Sequence, residues 1–215
     1  MAYVLVACEE SQAVTLAFRR LGVKAFSCDI KPCSGGHPEY HIIGDARKLF
    51  SYPCKFITES GDLHVVPMWD LLIAHPPCTY LSKAGSTRLF PGGVRDDERY
   101  LKGLEAREFF MHFYNAPVPR KCIENPVPIK VFDLPPYSQI VQPFYFGDPF
   151  YKTTCLWLVR LPILMFWGAC VPEFHWVSGS YSRGDTRVGE CTPVGRSKTS
   201  PALAAAMAEQ WVKYL

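Results

Sequence analysis

Apolar positions in the first thirty residues follow two rhythms. YVLVAC is a short β-rich run, SQAVTLAFRRLG carries Val14, Leu16, Ala17, Phe18 and Leu21 near helical spacing, and VKAFSCDI is apolar again up to Asp29. The pattern predicts strand, helix, strand, with Ser11 as N-cap and Gly22 as the helix stop. A βαβ unit of this kind belongs to a parallel sheet, in which ligands sit at the carboxyl ends of the strands.

Further along, HIIGDARKL reads as a third short strand ending at Gly44 and Asp45, and Ser51 to Pro67 reads as irregular with a hairpin around Gly61. WDLLIAH is continuously apolar, as expected of a strand covered on both faces. SKAGSTRLFPGGVR, rich in Gly, Ser and Arg, reads as a mobile loop. DDERYLKGLEAREFFMHFYNA predicts a helix with an acidic first turn, and RKCIEN another strand. QIVQPFYFG and TTCLWLVRL predict two strands of an antiparallel hairpin at one sheet edge. After Pro172 the chain is polar and irregular until PALAAAMAEQWVKYL, an amphipathic helix with Pro201 in its first turn. The expected fold class is a single α/β domain over 1–215, with a mostly parallel sheet, an antiparallel strand near its edge, and the last helix packed beside the first.

Composition narrows the picture only modestly. With 215 residues, 48% of them hydrophobic, the chain suits one well-packed core. A net charge of +3 is compatible with a polyanionic partner without announcing one. Nine cysteines without a CxxC, and no signal peptide, read as a cytoplasmic protein with reduced thiols. LPILMFWGACV is about half the ~20 residues a bilayer requires and is interrupted by Pro162 and Gly168, so no membrane partner is expected.

The chemistry concentrates at two strand ends. Cys78 follows the apolar run in DLLIAHPPCTYLSKAG, and a cysteine near basic groups or a helix N-terminus has a lowered pKa and becomes a nucleophile as its thiolate. Glu124 ends the apolar KCI in CIENP, so in a parallel sheet its carboxylate projects over the same edge. His75 reads either as a general base or as a strand-end histidine tied to backbone groups. Cys28, Cys33, His37, His41 and Cys54 are close in sequence, but their spacings match none of the common zinc patterns, and no metal is expected.

HPPCTYLSKAG resembles the Pro-Pro-Cys loop of the cytosine-5 DNA methyltransferases, and CIENP resembles their Glu-Asn-Pro motif, in the same order. VLVACEESQAV sits where that family keeps its first cofactor loop, CDI and GDA match its next two motifs, and GRSKTSPALAAAMAEQW resembles its closing motif and helix. The whole chain is similar to a compact group of phage-encoded, methyltransferase-like proteins, and this places it in a bacterial host. The resemblance implies a Rossmann-like methyltransferase fold that uses S-adenosylmethionine.

It also implies roles, residue by residue. Cys78 would add to carbon 6 of cytosine, and Glu124 would hydrogen-bond N3 and the exocyclic amine, with Lys152 and Thr154 beside them. Cys8, Glu9, Glu10, Ser11, Asp29, Ile30, Asp45, Ala46 and Pro76 would line the cofactor. Pro77, Ser82, Arg88, Asn125 and Pro126 would face the substrate, the loop from Ser82 to Arg99 closing over the base with Arg88 and Arg95 as contacts. The partner would be DNA, single-stranded or with its base flipped out.

The chain departs from the family in ways that matter. Cys8, Glu9, Glu10 and Ser11 replace a glycine-rich loop, Lys152, Thr153 and Thr154 replace an Arg-x-Arg, and Thr79 replaces a glutamine. Only Val171 to Gly195 is available for target recognition, where Arg183, Arg187, Trp176 and Tyr181, with Arg196 and Lys198 just beyond, are candidate nucleic-acid contacts. Sequence specificity is therefore expected to be lax. Two alternatives stand beside DNA methylation: carbon-5 modification of a free cytidine or deoxycytidine nucleotide, and an inactive binding module for DNA or protein.

Overall fold

The computed structural model describes residues 2–148, 152–166 and 198–215. Its main sheet joins β1 (Tyr3–Ala7), β2 (Lys24–Asp29), β3 (His41–Ile43), β6 (Leu71–Ala74), β7 (Arg120–Asn125), β8 (Gln139–Val141) and β9 (Thr154–Val159) in the order β3-β2-β1-β6-β7-β9-β8. The first five positions in that order pair in parallel, while β9 runs antiparallel to both β7 and β8. This is the expected Rossmann-like α/β architecture. A separate hairpin, β4 (Cys54–Ile57) with β5 (Leu63–Val66), turns at Gly61, whose φ of 94° favours glycine.

The central strands are buried beyond their first residues because layers cover both faces of the sheet. On one face Val4, Val6, Leu71 and Ile73 pack against α1 (Ala13–Arg20) and α4 (Pro201–Trp211), which lie side by side. On the other, Leu5, Leu72 and Ile123 join Phe110 and Phe113 of α3 (Asp97–Tyr114) and the buried Trp69, whose indole N–H donates to the Leu49 carbonyl at 2.8 Å. Asp96 caps α3 by accepting from the Arg99 amide, Asp97 and Glu98 make its acidic first turn, and Ser200 caps α4 ahead of Pro201.

Three local expectations are corrected. The residue before α1 is Gln12 in a left-handed conformation, not Ser11, and the capping acceptor is the buried Glu9 carboxylate, which takes the Val14 amide at 2.6 Å and the Thr15 amide at 3.2 Å. Residues 82–95, read from the sequence as a loop, form helical turns, Lys83–Gly85, α2 (Ser86–Leu89) and Pro91–Gly93. Pro143–Phe146, expected to continue a strand, is a 3-10 turn begun by a proline, which fixes φ and has no amide to donate to a ladder. Gly22, at φ 79°, does end α1 as expected.

Candidate active site

The strand order reverses beside β1, with β2 on one side and β6 on the other, and such a switch point opens a crevice at the carboxyl ends. A cavity of about 430 Å³ occupies it. The β1 end contributes Cys8, Glu9, Glu10 and Ser11, and the β2 end contributes Asp29 and Lys31. From the β6 end come His75, Pro76, Pro77, Cys78 and Thr79; Glu124, Asn125 and Pro126 close it from β7. Lys152, Lys198 and Thr199 complete the wall. Residues separated by more than a hundred positions thus meet because parallel strands all end at one edge.

Glu124 and His75 form a short polar contact at the heart of the cavity. The Nδ1 of His75 lies 2.7 Å from the Glu124 Oε2, both side chains are nearly excluded from solvent, and Oε1 stands 4.0 Å from the Lys152 ammonium. Burial pulls the Glu124 carboxyl upward, but the His75 hydrogen bond, the Lys152 charge and the adjoining Thr154 hydroxyl outweigh it and hold its pKa down at about 2. Thr154 itself donates to the Lys152 carbonyl at 2.9 Å. Its side chain supports the glutamate from behind rather than lining the cavity.

The environment of Cys78 reverses the expected shift. Burial, then the negative charge of Glu124, push the thiol above its ordinary value, and Lys152 only partly opposes them. The free site therefore holds a protonated thiol beside an ionised carboxylate. The Cys78 carbonyl accepts the Leu81 and Ser82 amides at 3.1 and 3.0 Å, and an Arg99 guanidinium N–H donates to the Thr79 carbonyl at 2.9 Å, fixing the loop from both sides.

At the other end of the cavity, the turn after β1 adopts glycine-like geometry without glycine. Cys8 has φ 60° and Gln12 φ 59°, both in the left-handed region, and the Cys8 amide donates to the Cys28 carbonyl at 2.7 Å. Burial and the charge of Asp29, with Cys28 and Asp45 beyond it, push the Cys8 thiol far up, so it is an uncharged wall rather than a nucleophile. Gln12 turns away, its amide pairing with both backbone groups of His37. Lys198 approaches Glu10 at 3.9 Å and donates to Ser34, whose hydroxyl also bonds Glu10.

Six residues expected at the site do not line the cavity. Ile30 is 77% exposed beyond the strand end. Asp45 directs its carboxylate to the Arg47 guanidinium at 2.8 Å, although its charge still reaches Cys8, and Ala46 belongs to the core. Ser82 is buried and bridges to Pro128, tying the loop after Cys78 to the loop after Glu124. Arg88 is exposed on α2, and Thr154 lies behind Glu124. His41, one of the grouped histidines and cysteines, bonds Ser27 and the Lys31 carbonyl. The candidate nucleic-acid contacts Arg183, Arg187, Arg196, Trp176 and Tyr181 lie outside the described residues.

No family model and no curated protein matches the sequence. Among solved structures, the chain is similar to a prophage-encoded protein of E. coli described as a DNA modification methyltransferase, with 14% identity and a TM-score of 0.40 over 74% of this chain and 46% of that one. It is also similar to the Dnmt2 methyltransferase of S. pombe, with 16% identity and a TM-score of 0.37 over 77% and 51%. The chain spans about half the length of these structures.

His75 and Thr199 are the site residues that sequence reasoning undervalued. Thr199 lies in the closing motif one residue before the α4 cap, and its hydroxyl comes within 3.4 Å of the His75 ring. The available signal for His75 was its position, three residues ahead of Cys78 at the end of a buried strand.

Proposed function

We propose that the protein methylates cytosine at carbon 5 in DNA through a covalent adduct with Cys78, taking the methyl group from S-adenosylmethionine. The observation that carries this reading is that Cys78 and Glu124, from the ends of adjacent parallel strands, line one cavity with the Asp29 and Cys8–Ser11 end walls.

The residues present suit the cofactor. The cavity volume lies within the roughly 300–1,000 Å³ of small-molecule sites, and a carboxylate at the end of β2 is the group that holds ribose hydroxyls in related folds. Asp29 and the turn Cys8–Ser11 would hold the nucleoside end, and Glu10 and Lys198 offer opposite charges to an amino acid end. When bound, the cofactor supplies an electrophilic methyl group.

The chain's own residues do the rest. Cys78 forms a bond from sulfur to carbon 6 as its proton passes to the Glu124 carboxylate, which hands it to N3 as the electron pair of the ring double bond moves there. Glu124 faces N3 and the exocyclic amine, and the Lys152 ammonium offsets charge in a buried site where electrostatic effects are strong. Once carbon 5 is substituted, its proton passes to water, which restores the double bond and expels the thiolate. Asn125 and the two prolines, Pro76 and Pro77, hold the strand ends that aim these groups.

A free nucleotide would need a phosphate anchor; of the basic residues Lys152 and Arg88, the first lines the cavity and the second does not. Nucleoside mass spectrometry on DNA from cells that lack other cytosine methyltransferases tests the reading. The protein should generate 5-methyldeoxycytidine and Cys78→Ala should not; equal amounts from both would refute the covalent mechanism. No product from either would favour the nucleotide or binding readings.

A further inference from the structure

We propose that His75 is a positioning residue acting through Glu124: its ring claims one carboxylate oxygen and leaves the other for the base. The inference rests on the methyl-transfer reading above. Because Nδ1 faces a carboxylate, it carries the hydrogen and donates it to Oε2 at 2.7 Å. The Nε2 is buried without a hydrogen-bond partner among the described residues, so the ring is held chiefly by its carboxylate side. Oε1, flanked by Lys152, is then the oxygen available to a base entering the cavity.

The burial of the pair makes this anchoring matter. A carboxylate with two equivalent oxygens rotates, and a rotated carboxylate loses the alignment that proton delivery to N3 requires. His75 supplies the anchor from the β6 end, and Thr199 adjoins the same nitrogen from the segment before α4. The charged and titratable groups that face the pair are Glu9 from the β1 end, Cys78 from the β6 loop, Cys122 of β7, Lys152 from the segment before β9 and Cys155 of β9 itself. The Thr154 hydroxyl also adjoins the glutamate but donates to the Lys152 carbonyl, and the hydrogen bond on Oε2 comes from His75.

A double-mutant cycle decides the matter. His75→Ala should lower kcat by ~10²-fold with little change in KM, yet change the residual rate of Glu124→Gln less than about threefold, since the two act as one unit. His75→Asn, which keeps a donor, should recover part of the rate. An equal loss in both backgrounds would overturn the proposal. A substrate-free readout runs in parallel: carbon-13 NMR titration of the Glu124 carboxyl should move its midpoint up by about one unit or more in His75→Ala. An unchanged midpoint would overturn the coupling. If the intact protein transfers no methyl group to DNA, the methyl-transfer reading fails by itself, and the titration still decides whether His75 governs Glu124.

Discussion

The side-chain amide of Asn125 donates to the backbone carbonyl of Pro76 at 2.8 Å and ties the end of β7 to the end of β6. Both partners are buried, and the bond joins the end of the strand that carries Glu124 to the loop that carries Cys78. Asn125→Ala would leave the Pro76 carbonyl without a partner, at a cost of about 1–3 kcal/mol. Thermal unfolding should show the loss, and methyl transfer should fall further than the lost stability alone accounts for.

The charge of Glu124 also governs the thiol. After burial, it is the largest influence raising Cys78, so Glu124→Gln should lower the thiol pKa and speed alkylation of Cys78 at pH 8. Lys152→Met should do the opposite, because Lys152 opposes the shift. Site-resolved mass spectrometry after brief iodoacetamide treatment separates Cys78 from the other cysteines. Slower alkylation in Glu124→Gln would contradict the assigned electrostatics.

Stability should carry the signature of the same glutamate at low pH. Its folded pKa of about 2 lies below its ordinary 4.5, so the folded state binds the proton less readily than the unfolded chain. The stabilisation is fully present above pH 4.5 and is lost as the pH falls toward 2. Urea midpoints measured across that window should fall less steeply in Glu124→Gln than in the unmodified protein.

Packing behind the site offers an independent check. Gly103 of α3 lies directly under the buried Phe132 ring, where an added Cβ would overlap the ring atoms. Gly103→Ala should cost about 1–3 kcal/mol through overpacking, despite the better helix propensity of alanine. A melting temperature at or above that of the unmodified protein would show that Phe132 moves aside without penalty.

Much of the fold was legible in residue order. Continuous apolar runs marked β1, β2, β6 and β7, turn and stop residues placed Gly22, Gly61 and Pro201, and the alternation of strands with helices implied the parallel sheet. Residues 82–95 and Pro143–Phe146 were misread because short helical turns leave no periodic pattern; their shape comes from neighbouring hydrogen bonds.

The site divides along the same line. Cys78 and Glu124 stood out locally because each is a reactive group at the end of a buried run, and a strand's burial pattern is written in its own residues. The pairing of His75 with Glu124, the shielding of the Cys78 thiol, and the placement of Asp45, Ser82 and Arg88 off the cavity wall were decided only by tertiary structure. The first two depend on sheet order and on which loops face one another across the switch point, and so on contacts between residues more than forty positions apart that no local pattern encodes.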